Sequence, residues 1–142
     1  MTATTTEPAI FVSTDEYDRL ISLAMGLERR DPGLAEFLIG ELERATLFDP
    51  PSAGVEAVGM YSHVEFRSEP DGRTQCVTLV YPGEENIAEG RVSVLTPIGA
   101  ALIGMTEGQS ISWAGRDGQE HRLTVLAIHG PTDQRLDQAL VR

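Results

Sequence analysis

"SVLTPIGAALIGMTEGQSISW" (Ser93–Trp113) is the stretch on which the reading of this chain turns. Within it, Pro97–Ile103 has no charged or polar side chain on any face. Both ends of that segment are marked. Thr96 is a good N-cap, Pro97 fits the first helical position, where its missing N–H leaves nothing unpaired, and Gly104 fits the residue after the C-cap. The spacing predicts a helix of about two turns. Ile98, Ala101 and Leu102 would share one face, with Ala100 and Ile103 looking away from it. A surface helix of a small domain normally shows water one polar side, and this one has none to show. Either it is buried all round or one side is kept for a partner.

On both sides of this helix the pattern has a period of two. "RVSVL" (Arg91–Leu95) precedes it. "QSISWAG" and "EHRLTVLAIHG" follow, joined across "RDGQ", in which Asp117-Gly118 is a strong hairpin turn pair. Further upstream, Val64 and Phe66 alternate with His63, Glu65 and Arg67; "EPDG" (Glu69–Gly72) is a turn, and Val77, Leu79 and Tyr81 mark another strand. Five short strands with one short helix imply an antiparallel sheet curled around that helix.

The N-terminal half reads differently. "FVSTDEYDRLISLAMGLERRD" (Phe11–Asp31) opens with a capping box, Ser13 as N-cap and Glu16 at N3, and Val12 is placed to staple against Tyr17. Tyr17, Leu20, Ala24 and Leu27 follow at a 3-4-3 spacing, the pattern of a helix seam. A second helix starts with Asp31 as N-cap and Pro32 at N1, and Leu34, Phe37, Leu38, Leu42 and Ala45 give it one apolar face. So short a connection makes the two helices antiparallel neighbours, with Glu28–Asp31 at the tip. The expected fold class is α+β, in five parts. These are a flexible lead over 1–10, a helical hairpin over 11–46, a Pro- and Gly-containing linker over 47–57, a C-terminal domain over 58–131, and a polar tail over 132–142.

Composition narrows the chemistry. The 142 residues carry a formal net charge of -11, and every cation is an arginine. Phosphate contacts need a basic patch, so direct binding to nucleic acid or to an anionic membrane is not expected; basic protein surfaces are the better partners. Cys76 is alone, which excludes a disulfide framework and a cysteine zinc cluster. "MTATTTEPAI" lacks the charged and apolar regions of a signal peptide, and a cytoplasmic monomer is the expectation. His63, His121 and His129 have no metal-ligand spacing, and neither a metal nor a cofactor is expected. Trp113 alternates with Ile111 and reads as core. No nucleotide-binding signature is visible.

"RVSVLTPIGAALIGMTEGQSISW" resembles the signature "sv.sPiG.aLlG...Gd.i.w" of the C-terminal domain of the Gre transcript cleavage factors. "MYSHVEFR" and "VTLVYPGE" are similar to the strands that precede it there. With so short a hairpin, the whole chain resembles the Rnk family. The resemblance covers roughly Phe11 to Gly130 and is more specific in the C-terminal half. It implies an FKBP-like C-terminal domain with a curled antiparallel sheet, a short antiparallel coiled-coil finger, and the rim of the secondary channel of bacterial RNA polymerase as partner. Carried over by residue, the docking surface falls on Thr96, Pro97, Ile98 and Gly99, with Leu102 and Ile103 nearby.

Gre factors use acidic residues at the finger tip to help hold a second Mg²⁺ for RNA cleavage, and two-metal hydrolysis does require oxygen ligands there. Here the tip offers Glu28 and Asp31. Asp31 precedes Pro32 as an N-cap, Arg29 and Arg30 offset the acids, and each helix is only about 15 residues, roughly 22 Å. A non-catalytic binding module that competes with longer Gre-type factors is therefore the first reading. A cleavage-stimulating factor is the second. A peptidyl-prolyl isomerase rests on fold analogy alone and comes third.

Overall fold

The computed structural model describes residues 9–49, 57–69, 71–114 and 118–129. In chain order its elements are β1 (Phe11–Ser13), α1 (Thr14–Gly26), α2 (Pro32–Arg44), β2 (Thr46–Phe48), β3 (His63–Glu69) and β4 (Arg73–Val80). A 3₁₀ turn (Ile87–Glu89), β5 (Arg91–Ser93), α3 (Pro97–Leu102), β6 (Ser110–Ala114) and β7 (Glu120–His129) follow.

The main sheet has five strands in the order β5-β4-β3-β7-β6. Its inward positions are those that the period-two pattern marks: Val64, Phe66, Val77, Leu79, Ile111, Leu123 and Val125 are all buried. Between β3 and β7 the register shifts at Glu65/Phe66, which leaves Leu126 as the extra residue of a bulge and partly exposed. The expected FKBP-like antiparallel sheet needs correction. Three of its pairings are antiparallel, but β5 runs parallel to β4, with Thr78 opposite Arg91 and Val80 opposite Ser93. The reason lies in residues 81–90, which do not fold straight back as a hairpin. Gly83 and Gly90 take positive φ on either side of the 3₁₀ turn, and the Thr78 N–H donates to the Gly90 carbonyl at 2.7 Å. The chain is thus returned to the level of Thr78 before β5 begins, and after the left-handed turn at Gly90 it runs back in the direction of β4.

Helix α3 is covered on both sides. Gly99, Ala100, Ala101 and Leu102 are buried, and so is Ile103 just beyond them. The division into a sheet-facing side and an outward side fails at Ala100 and Ile103, and the cause is the hairpin. Helix α2 packs on α3, and Leu20, Ala24, Leu38 and Leu42 join the same apolar cluster as Ala100–Ile103 and the sheet. The expected short helical hairpin is present as a pair of 13-residue helices, and its second helix packs on α3 of the C-terminal domain.

The ends of the hairpin are tied down as well. β1 and β2 form a parallel pair at its base, Thr46 N–H donating to the Ile10 carbonyl at 2.9 Å. Phe11 N–H donates to the Gly104 carbonyl at 2.9 Å, and Ile10 is buried to 1% exposure. Two boundaries move in consequence. The flexible lead expected over 1–10 cannot include Ile10, which is core, while residues 1–8 lie outside the described residues. The linker expected from 47 begins with strand residues Leu47 and Phe48; its stretch 50–56, like the tail 132–142, lies outside the described residues.

Candidate docking site

Thr96 builds the entry to α3. Its hydroxyl donates to the Ser93 carbonyl at 2.7 Å and accepts from Gly99 N–H at 3.1 Å, which closes the cap from both directions. Ser93 adds a second local bond, its hydroxyl accepting from Leu95 N–H at 3.0 Å. Gly99 is required by close approach: a Cβ there would fall against the Ser93 carbonyl oxygen and within 2.8 Å of Val94 Cα. Gly104 ends the helix with φ +82, in the conformation a residue after a C-cap favours.

The six residues named from the sequence therefore separate. Pro97 is exposed, Thr96 and Ile98 are half-buried, and Gly99, Leu102 and Ile103 are buried. What can meet a partner is the first turn, with Pro97 at its crest and no N–H to leave unpaired. Leu102 and Ile103 support this turn from the core and are not part of its surface.

At the hairpin tip the two acids have different situations. The Asp31 carboxylate accepts from Leu34 N–H at 3.2 Å, as an N-cap does. Glu28 is exposed, and so are Arg29 and Arg30 beside it. Among the described residues no group of three or more His, Cys, Asp or Glu side chains is placed to hold a metal ion. His63 bonds Thr78, His121 stacks on the half-buried Trp113, and Cys76 is an exposed thiol.

The sequence reading missed one cluster, where α1 meets the C-terminal domain. Glu16 accepts from Met60 N–H at 3.3 Å. One helical turn on, the Arg19 guanidinium lies 3.7 Å from the centre of the Tyr81 ring. Tyr81 meets Tyr61 edge to face with centroids 6.0 Å apart, and the Tyr61 hydroxyl donates to Glu84 at 2.6 Å. Burial first, and the Glu84 carboxylate second, push the Tyr61 phenol up to about 12. Tyr61 also has φ +69, a left-handed backbone that costs a bulky residue on the order of 1–3 kcal/mol. Only the spacing of Glu16 and Arg19 could have hinted at this cluster, because neither the turn at 59–62 nor the φ of Tyr61 leaves a pattern in the sequence.

A family model for the C-terminal domain of the transcription elongation factors GreA/GreB matches residues 53–130, and a model for the Rnk N-terminus matches residues 8–47. The chain belongs to the Rnk family, within the GreA/GreB group. The Rnk assignment agrees with 38% identity over 95 residues to the regulator of nucleoside diphosphate kinase of Escherichia coli K12, covering 67% of this chain and 70% of that one. The GreA of Chloroflexus aggregans is 41% identical over 87 residues, 61% of this chain and 55% of its own. Among solved structures, a GreA/GreB elongation factor from Nitrosomonas europaea superposes with a TM-score of 0.66 at 33% identity, over 87% of this chain and all of the other. The fold of this Rnk-family chain is a mixed sheet with a helical hairpin, in the GreA/GreB arrangement. Among the described residues no helix is long and apolar enough to cross a membrane.

Proposed function

We propose that this protein is a cytoplasmic regulator of transcription that docks on bacterial RNA polymerase at the rim of the secondary channel, through the first turn of α3. By occupying the rim it competes with longer Gre-type factors, and it does not itself promote transcript cleavage. The observation that carries this reading is the contrast within one short helix: its body is buried, while Pro97 stands exposed over a cap fixed by Thr96 and Ser93. A preformed turn of this kind presents shape without an ordering cost on binding. The net charge of -11 favours a basic protein surface and disfavours free nucleic acid. The non-catalytic part rests on the tip, where Asp31 is engaged as a cap and Arg29 and Arg30 stand beside Glu28.

The test is capture of core RNA polymerase by the purified protein, with a full-length Gre factor as competitor. Capture that the Gre factor displaces supports the proposal. Capture that it does not displace moves the contact away from the rim, and no capture at all removes the polymerase as partner.

A further inference from the structure

Both helices lean on the C-terminal domain through apolar side chains, and among the described residues α1 adds polar contacts that α2 does not make to α3. Helix α2 meets α3 through apolar side chains, and such packing has no directional preference of its own. Helix α1 enters the same apolar cluster through Leu20 and Ala24 and is gripped in addition by polar groups, whose geometry is narrow. Glu16 takes the Met60 N–H, and its carboxylate lies close enough to Gly59 that a Cβ there would sit 3.3 Å from it. Arg19, on the same face one turn later, covers the Tyr81 ring. Tyr61 and Glu84 complete the set from the domain side: the phenol donates to Glu84, which also accepts from the Tyr81 N–H at 3.3 Å and so holds that end of β4 to the 59–62 turn. The turn is itself locked by Tyr61 N–H to the Leu79 carbonyl and by Gly59 N–H to the Ser62 hydroxyl at 2.9 Å.

The backbone at Tyr61 argues that this side chain is wanted where it is. A φ of +69 suits glycine and strains tyrosine, yet this position bears the ring that touches Tyr81 and the hydroxyl that bonds Glu84.

We propose that Glu16, Arg19, Tyr61, Tyr81 and Glu84 form a clasp that sets the angle of the hairpin on the C-terminal domain, and so fixes where the tip points when the first turn of α3 is docked. These are positioning residues: α2 and α3 keep the hairpin attached, and the clasp chooses its direction. The consequence for the tip rests on the polymerase reading, whereas the geometry of the free protein does not.

The chain offers its own probe. Cys76 is its single thiol and is exposed on β4, and Met25, at 58% exposure, lies at the far end of α1. Spin labels on Cys76 and on Met25→Cys report the hairpin-to-domain distance in the full chain. The parent should give one narrow distance distribution. Arg19→Ala and Tyr61→Gly should each lose it, giving a broad or shifted distribution with the helical signal intact. Tyr61→Gly should do so with little loss of melting temperature, because it also relieves the backbone. An unchanged distribution in both variants overturns the clasp and leaves the apolar contact as the sole determinant. Should Tyr61→Gly fail to fold, Arg19→Ala, an exposed side chain on a helix surface, decides alone. Failure of the parent to capture polymerase would overturn the docking proposal and leave this measurement standing.

Discussion

Gly104 lies directly against Ile10: a Cβ added to the glycine would come within 2.9 Å of the Ile10 Cβ. The contact joins the residue that ends α3 to the residue that leads into the hairpin. Ile10, like Ile103 and Met105 on either side of the glycine, belongs to the apolar cluster that the hairpin shares with the C-terminal domain among the described residues. Gly104→Ala should therefore hurt twice, through its φ of +82 and through the clash, with a loss on the order of 1–3 kcal/mol. Gly104 and Gly99 can be compared by chemical denaturation. Gly99→Ala should be at least as costly, since what its Cβ meets is the Ser93–Val94 backbone and not a side chain that can turn away. Wild-type stability in either variant would contradict this packing.

The shared core predicts how the hairpin melts. Leu38 is fully buried in the cluster that also holds Ala101 and Leu102. Leu38→Ala should cost about 2–5 kcal/mol, as large-to-small changes in a core do. Helices of 13 residues are marginal by themselves, and the sequence would suggest that they fray before the sheet unfolds. The packing of α2 on α3 says otherwise. Helical signal at 222 nm and Trp113 fluorescence should be lost in one transition, in the parent and in Leu38→Ala alike; two separated transitions would show that the hairpin folds independently.

Much of this was legible in the residues, and the exceptions have a common physical origin. Caps are local, so Ser13, Asp31 and Thr96 could be assigned from their neighbours, and all three bond a backbone N–H of the first turn. Strand faces follow from a period of two, and Val64, Phe66, Val77 and Leu79 obey it. The direction of β5 was not legible, because it depends on where residues 81–90 return the chain. The cover over Ala100 and Ile103 was not legible either. An apolar face states that something must lie on it and gives no hint that the hairpin does. Of the six candidate residues, Leu102 faces the core as its spacing indicates, Gly99 lies against the Ser93–Val94 backbone, Ile103 is covered, and the turn at Thr96–Ile98 is what can meet a partner.

Tyr61 gives a pH dependence with a definite sign. Its folded pKa is raised from 10.0 to about 12, so the protein holds the neutral phenol more firmly than the unfolded chain does. That contribution is fully present below pH 10 and is lost as pH rises from 10 to about 12. Tyr61→Phe cannot ionise. Its melting temperature should fall less steeply than that of the parent over this interval, and parallel curves would show that neither burial nor Glu84 holds the phenol neutral.

The tip should be catalytically silent. Asp31→Ala removes the cap on α2, and a loss of about 1 kcal/mol is expected from that alone. Neither it nor Glu28→Ala should alter transcript cleavage in stalled elongation complexes, because the parent should stimulate none. Cleavage by the parent that both variants abolish would instead assign the tip acids to the catalytic metal.

Ile98 and Leu102 stand one turn apart on α3 and separate docking from folding. Leu102 is at 0% exposure, so Leu102→Asp would bury a carboxylate in the centre of the core and should prevent folding. Ile98 is half-buried, with part of its side chain against the core and the rest beside exposed Pro97. Ile98→Asp should cost some stability but leave a folded protein, since its carboxylate can turn toward water. On a partner that seals this turn, the same carboxylate is desolvated, and the expected loss of binding is on the order of 2–4 kcal/mol. The two effects are read separately, by a thermal melt and by polymerase capture at a temperature where the variant is folded. Unchanged capture by folded Ile98→Asp would move the docking surface off α3, and the hairpin would be the next place to look.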